Sequence, residues 1–184
     1  SGLLHKEYHE KEFARRGGDF HMVQLWVNLP EEAKMSRPKY QQITNREMGK
    51  HLLENDGGVI EVIAGNYFNT KGPASTFTPM AIMNARLKKN GSASFEFPSH
   101  YNTALLLIEG AVVVNGSEAV PADHFVLFRY DGGSFTLDAT EDSIALVLSG
   151  EPIAAHGPFV MNTKTEIYQA FEDLENGKFG HLED

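Results

Sequence analysis

Residues 103–114, TALLLIEGAVVV, decide the fold class of this chain. The first half of the segment is continuously apolar, the pair Glu109-Gly110 interrupts it, and an apolar run resumes at Ala111. Short runs rich in Leu, Ile and Val predict β-strands that are buried on both faces. Because strand follows on both sides, the glycine predicts a bulge or bend and not a tight two-residue hairpin.

Further short apolar segments flank this stretch and predict strands at 59–64, 82–87, 125–128 and 144–148. Turn signals rich in Asn, Asp and Gly separate them, at 90–91, 115–116, 131–133 and 141–142. Short strands at regular spacing with such turns are typical of an all-β sandwich or barrel. The sequence therefore predicts an all-β fold.

The composition excludes several classes of protein. A chain of 184 residues with 41% hydrophobic content can bury one good core. A formal net charge of -9 disfavours binding to nucleic acid, which needs clustered Lys and Arg. The chain has no cysteine, which suits a reducing compartment, and its longest apolar runs fall short of the roughly 20 residues of a membrane span. We expect a cytoplasmic protein that binds neither nucleic acid nor membrane.

The first ten residues place His5, Glu7 and His9 at alternate positions, which lie on one face if the segment is extended. Same-face neighbours in a strand are about 6.6 Å apart, so His5 and Glu7 could converge on one metal ion. His9 would lie about 13 Å from His5, too far to share that ion. From the residues alone, a metal site and a solvated strand end both remain open.

Two segments outside the central block also have clear patterns. Residues 20–29, FHMVQLWVNL, alternate and predict a strand with one core face. Residues 163–176 predict a helix, because Thr163 and Glu166 fit a capping box and Gly177 suits the cap after the helix. Apolar residues recur at helical spacing and should form its buried stripe: Ile167, Ala170, Phe171 and Leu174.

Four segments together resemble the pirin family: GLLHKE at 2–7, QLWVNLP at 24–30, KMSRPKYQ at 34–41 and GPFVMNT at 157–163. The resemblance implies a bicupin, which has two jelly-roll-like cupin β-barrels, followed by a C-terminal helix. It implies that residues 1–29 are the last strands of an incomplete first barrel and that residues 30–57 cross between domains. Residues 58–150 would form the C-terminal barrel, and residues 151–184 an extension that holds the helix.

The resemblance also implies a metal centre. Pirins hold one divalent metal, typically iron, in the first barrel, through an H-x-H pair and a later His and Glu. His5 and Glu7 match the later His and Glu, whereas the H-x-H pair has no counterpart here. We therefore expect this chain to be a fragment of a longer protein and to bind Fe(2+) weakly or not at all by itself.

The second barrel can be compared with the ligand positions of other cupins. Only His100 of an H-x-H pair remains, and the position expected for Glu falls within 104–106, which is apolar. His124 lies near the second motif without its surrounding pattern. One or two histidines without a carboxylate make a poor metal site, so we expect this barrel to hold no metal.

The resemblance implies a function for the longer protein. Several pirins are similar to dioxygenases that open a ring of a flavonol such as quercetin, with Fe(2+) held by three His and one Glu. Glu7 would be a ligand and, when displaced, a catalytic base for the substrate hydroxyl. The 184-residue chain alone would be inactive. The alternatives are a non-catalytic metal-binding regulator that acts through a protein partner, and a structural remnant without activity.

Overall fold

The computed structural model of this protein describes residues 8–152, 155–156 and 159–180. The chain divides into two compact units. The smaller unit comprises Ser1–Lys39 and Ile153–Asp184, and the larger unit comprises Tyr40–Pro152. In the described part of the chain, no helix combines the length and apolar character that crossing a membrane requires.

The larger unit is a cupin-type barrel of antiparallel strands. Its strands are β1 (Gly49–Leu52), β2 (Gly58–Ala64), β3 (Asn66–Tyr67), β4 (Thr70–Lys71), β5 (Met80–Leu87), β6 (Ser92–Glu96), β7 (Asn102–Glu109), β8 (Ala111–Val114), β9 (Glu118–Pro121), β10 (His124–Leu127), β11 (Ser134–Ala139) and β12 (Ser143–Gly150). One sheet has the order β1-β2-β5-β12-β7-β10 and a second has the order β6-β11-β8-β9. The all-β prediction is confirmed.

The core of the larger unit lies between these two sheets. One cluster of buried side chains contains residues from both, including Met83 and Leu105 of the first sheet and Phe95 and Leu137 of the second. In β6 exposed and buried residues alternate strictly, as the period of two in a strand requires. The strand β7, which lies between β12 and β10, is more deeply buried, with Thr103, Ala104, Leu105 and Leu107 all inside. The 103–114 segment forms strands as predicted, although Leu106 and Ile108 are only half-buried.

Gly110 joins β7 to β8 and turns the chain from one sheet into the other. Its φ is 80°, which glycine adopts readily and L-residues adopt rarely. A Cβ at this position would lie only 2.3 Å from the carbonyl oxygen of Asp142. The predicted bend is confirmed, and both its backbone angle and its close neighbour require glycine.

One strand was not predicted, and one predicted strand is absent from the described residues. The strand β1 lies within residues 30–57, where no strand was predicted, and pairs with β2, with Gly49 opposite Val62. Conversely, no strand is found over residues 20–29, and Trp26 is 52% exposed. A strand needs a neighbour to accept its backbone hydrogen bonds, and no described strand pairs with that segment. Alternation alone therefore overpredicted a strand in one segment and missed one in the other.

The smaller unit contains the helices α1 (Lys11–Arg16) and α2 (Lys164–Glu175) and the short strands β13 (Ala155–His156) and β14 (Phe159–Val160). Thr163 and Glu166 form the predicted capping box at the start of α2. Ile167 and Ala170 are buried, Phe171 is half-buried, and Leu174 is 42% exposed. The prediction that Leu174 is buried was wrong, because the covered stripe of the helix ends about one turn before it.

Candidate functional site

The predicted metal ligands His5 and Glu7 lie outside the described residues. Their pairing at one ion therefore stays a prediction. His9, the third residue of the alternating set, is described: its ring is exposed and stacks on Phe20 with the centroids 4.7 Å apart.

The structure also places the residues that stand at cupin ligand positions in the larger unit. His100 is exposed, and its ring meets the Tyr101 ring edge-on at 4.9 Å. The Nδ1 atom of His124 lies 2.9 Å from the carbonyl oxygen of Ala122, again at an exposed position. Across the described ranges, no three His, Cys, Asp or Glu side chains come close enough together to hold a metal ion.

A pair of hydroxyl groups lies inside the barrel, near the start of β7 and the end of β12. Thr103 on β7 stands opposite Ser149 on β12, and their side-chain oxygens are 2.9 Å apart. Both residues are buried, with 9% and 5% of their surface exposed. Buried hydroxyls are usually hydrogen-bonded, and these two satisfy one another. The two buried polar side chains at this end of the barrel are therefore neutral hydroxyls that pair with each other.

A pocket of about 600 Å³, which we call the mouth pocket, opens at the same end of the barrel. The strands β5 and β7 begin here, and β6 and β12 end here. Residues on its wall come from the 65–81 segment, from Phe97 to Tyr101, and from Ser149 of the hydroxyl pair. The pocket therefore joins the barrel interior to the surface.

Hydrogen bonds fix one rim of the mouth pocket. The side-chain amide of Gln41 makes two of them with the backbone of Ser75: it donates to the carbonyl oxygen at 3.0 Å and accepts from the N–H at 2.8 Å. The N–H of Ala74 donates to the carbonyl oxygen of Ile63 at 3.0 Å. Gly72 passes so close to Ile63 that a Cβ would meet its backbone at 2.5 Å. This rim is an ordered part of the barrel despite its loop sequence.

Aromatic rings form the opposite rim. Phe97 stacks on Phe95 with ring centroids 6.3 Å apart, and Phe95 stacks on Phe135 at 5.0 Å. The backbone N–H of Phe97 donates to the carbonyl oxygen of Gly133 at 2.7 Å. Because a stack of core rings supports Phe97, this wall of the pocket is also held in place.

A second pocket, of about 780 Å³, lies at the other end of the barrel. His51 stacks on Phe68 at 5.4 Å and meets the edge of Tyr67 at 5.0 Å. Burial raises the pKa of the Tyr67 hydroxyl, although a hydrogen bond with the backbone of Ser94 opposes that effect. Phe68 has a φ of 46°, unusual for a bulky residue, and its side chain is 72% exposed.

Sequence reasoning missed both pockets. The walls of the mouth pocket come from segments up to 84 residues apart, from Gly65 to Ser149. One available signal was the loop of residues 65–79, which is rich in Gly, Pro, Thr and Ser and is longer than most connections between strands. Such loops in compact domains are often functional.

This chain is similar to one family model and to several known proteins. The model of the "Pirin C-terminal cupin domain" matches residues 82–180. A Pseudomonas aeruginosa protein provisionally named quercetin 2,3-dioxygenase PA2418 is 40% identical over 183 residues, which cover 97% of this chain and 64% of that protein. Pirin-1 of Arabidopsis thaliana is 34% identical over 188 residues, with 97% of this chain and 63% of the relative covered.

A solved structure shares the fold. The 1.88 Å crystal structure of quercetin 2,3-dioxygenase from Acinetobacter baumannii superimposes with a TM-score of 0.85 at 41% identity. The match covers 95% of this chain and 62% of the other. The 184-residue chain thus spans somewhat under two thirds of the length of the proteins it resembles.

Proposed function

This chain belongs to the pirin family, and on that premise we propose that the longer protein is a metal-dependent dioxygenase that opens a ring of a flavonol of the quercetin type. One observation carries the proposal. The A. baumannii protein described as quercetin 2,3-dioxygenase is 41% identical to this chain over an alignment that covers 95% of this chain, with a TM-score of 0.85. Pirin-1 matches 97% of the chain at a lower identity of 34%.

His5 and Glu7 would contribute to the metal centre. Imidazole nitrogen and carboxylate oxygen are a donor set that suits Fe(2+). When bound, the iron would supply a Lewis-acidic centre with open coordination positions for substrate oxygens. Glu7 would act as a base toward the substrate hydroxyl, and His5 would have to be neutral, with its other ring nitrogen held by an acceptor.

The larger unit does not offer a second centre of this kind. His100 and His124 are exposed, and neither has a carboxylate beside it that would complete a three-ligand group among the described residues. The side chains that β7 contributes to the barrel interior are Thr103, Leu105 and Leu107, none of which is a metal ligand of this kind. From the resemblance to pirins, we propose that the metal is held in the half of the protein that contains His5 and Glu7. With two of the four family ligands, the 184-residue chain alone should bind metal weakly and be inactive.

The second candidate is a non-catalytic metal-binding regulator that acts through a protein partner. Relatives named simply as pirin, such as the human protein at 31% identity, carry no activity in their names. The edge strand β10 also exposes apolar side chains, with Phe125 61% and Leu127 66% exposed. Exposed apolar side chains are a feature of protein-binding surfaces.

Oxygen uptake in the presence of quercetin separates the two candidates. The full-length protein loaded with Fe(2+) should consume oxygen only when quercetin is present, and metal analysis should find one equivalent per chain. His5→Ala in that protein should abolish both. His9→Ala is the matched control and should leave both unchanged, because the His9 ring is exposed and stacks on Phe20 and matches none of the family's ligand positions. A metal-loaded protein without quercetin-dependent uptake would favour the regulatory function.

A further inference from the structure

We propose that the mouth pocket of the larger unit is a metal-independent binding site for a small aromatic carboxylate. The proposal does not depend on the dioxygenase activity, because it concerns a different barrel from the one that we expect to hold the metal. It follows from the size of the pocket, the chemistry of its walls and the order of its rims.

The size and the walls indicate a planar, largely apolar ligand. Pockets for small molecules have volumes of about 300–1,000 Å³, and the mouth pocket has about 600 Å³. Phe97 and Tyr101 present aromatic rings, and Pro73 and Pro98 add flat apolar surfaces. Aromatic ligands gain from stacked or edge-on contacts with such rings beyond simple burial. One or two fused or linked rings would fill this space.

The charge of the residues that line the mouth pocket indicates that its ligand is an anion. Lys71 is the one charged side chain among the described residues that line the pocket. The whole chain carries a formal net charge of -9, so a pocket with a lysine and without a carboxylate differs from the average surface. The side chains of Ser75 and Thr76 lie on the same rim and can donate hydrogen bonds to a carboxylate.

The deep end of the pocket offers a hydrogen bond of a different kind. Ser149 lines it, and its hydroxyl is already paired with that of Thr103 at 2.9 Å. Two hydroxyls carry two protons, and one of these lies between the paired oxygens. Either hydroxyl can be the donor of that bond, and when Thr103 donates, the proton of Ser149 is available to a ligand oxygen. A phenol or ether oxygen on the ring would be satisfied there, while the carboxylate faces Lys71 at the rim.

Both rims of the mouth pocket are held in place before a ligand arrives, which lowers the entropic cost of binding. Gln41 holds Ser75 through two hydrogen bonds of 3.0 and 2.8 Å, and the ring stack behind Phe97 supports the opposite side. A preformed pocket does not have to order its own loops when the ligand arrives. The Gly- and Pro-rich segment of residues 65–79 therefore provides a preformed wall of the site.

Amide NMR titration of the 184-residue chain with cinnamate tests the proposal. Cinnamyl alcohol, which has the same ring and chain without the charge, is the matched ligand. Saturable shift changes should cluster at Lys71, Ala81, Tyr101 and Ser149. Lys71→Met should weaken cinnamate binding about fivefold and leave cinnamyl alcohol binding unchanged, as expected for loss of one exposed ion pair. Lys89→Met, at the other end of the barrel, should change neither.

A second variant keeps the test decisive. Tyr101→Leu removes one aromatic wall at a half-buried position and should weaken the acid and the alcohol alike. Three results would overturn the proposal: no saturation at millimolar cinnamate, shift changes that cluster outside the mouth pocket, or equal cinnamate affinity for Lys71→Met and the unsubstituted chain. None of these results bears on quercetin-dependent oxygen uptake, so failure here and failure of the dioxygenase proposal are distinguishable.

Discussion

Thr103 and Ser149 bond to one another across the neighbouring strands β7 and β12, with 2.9 Å between their hydroxyl oxygens. Both are buried where apolar side chains would otherwise fill the barrel. A hydroxyl that loses its partner in such a place keeps the cost of desolvation without the hydrogen bond.

The hydroxyl pair should therefore show strong coupling in a double-mutant cycle. Thr103→Val and Ser149→Ala should each lower the free energy of unfolding by about 1–2 kcal/mol, because each leaves one buried hydroxyl unsatisfied. The double variant should lose less than the sum of the two, by about 0.5–1.5 kcal/mol. Chemical denaturation of the four proteins measures this. Strict additivity would contradict the pairing.

A buried carboxylate on the other face of the same sheet provides a pH-dependent test. Glu61 is 3% exposed, accepts a hydrogen bond from the Asn45 amide at 2.7 Å and from Arg86 Nε at 3.0 Å, and has Lys50 Nζ 3.7 Å away. Burial by itself would raise the pKa of Glu61. The hydrogen bonds from Asn45 and Arg86 and the charge of Arg86 outweigh burial, so the pKa is lowered.

Because the pKa of Glu61 is lower in the folded state, its contribution to stability is complete above the unfolded pKa of about 4.3 and is lost as the pH falls below that value. Glu61→Gln should cost about 1–2 kcal/mol at neutral pH, a modest figure since Arg86 and Lys50 are half-exposed. The difference from the unsubstituted chain should shrink in acid. Glu96→Gln, at an exposed position of β6, should show neither effect. Urea denaturation at several pH values measures this difference in the free energy of unfolding. A difference that does not change with pH would contradict the lowered pKa of Glu61.

Two glycines with similar backbone angles should respond differently to alanine. Gly110 has φ 80° and Gly116 has φ 66°, so alanine is strained at both. A Cβ at Gly110 would meet the Asp142 carbonyl oxygen at 2.3 Å, whereas nothing lies within 4 Å at Gly116. Gly116→Ala should cost about 1 kcal/mol, and Gly110→Ala about 3 kcal/mol or more. Thermal melts compare them, and equal shifts would mean that the close approach at Gly110 relaxes without cost.

The α2 helix should be stabilised mainly by one residue. Ile167 is 5% exposed, so Ile167→Ala should cost about 2–4 kcal/mol. Phe171 is half-buried, and Phe171→Ala should cost less than the 3–5 kcal/mol of a fully buried ring. Leu174→Ala, at a position 42% exposed, is the control and should cost well under about 1 kcal/mol. Helix content followed by circular dichroism during melting ranks the three variants, and a larger loss at Leu174 than at Ile167 would reverse the assigned face.

Several features followed from the sequence because they depend on neighbours in the chain. The strand character of 103–114, the bend at Gly110 and the capping box of Thr163 and Glu166 each involve a dozen residues or fewer. Hydrophobic periodicity, glycine freedom and capping are local effects that no distant partner needs to complete. The family also followed, because its segments recur in order along the chain.

Other features were decided by tertiary structure. Residues 20–29 alternate like a strand, but pairing requires a neighbour, and β1 became a strand because β2 lies beside it. The mouth pocket depends on Gln41 meeting Ser75 and on Thr103 meeting Ser149, contacts that span 34 and 46 residues. The register of two sheets sets those contacts, and a shift by one residue would turn every side chain to the other face. The sequence by itself determined which segments can be strands and where the chain bends, whereas only the packed barrel decided which side chains share a pocket, because burial and register belong to the whole sheet.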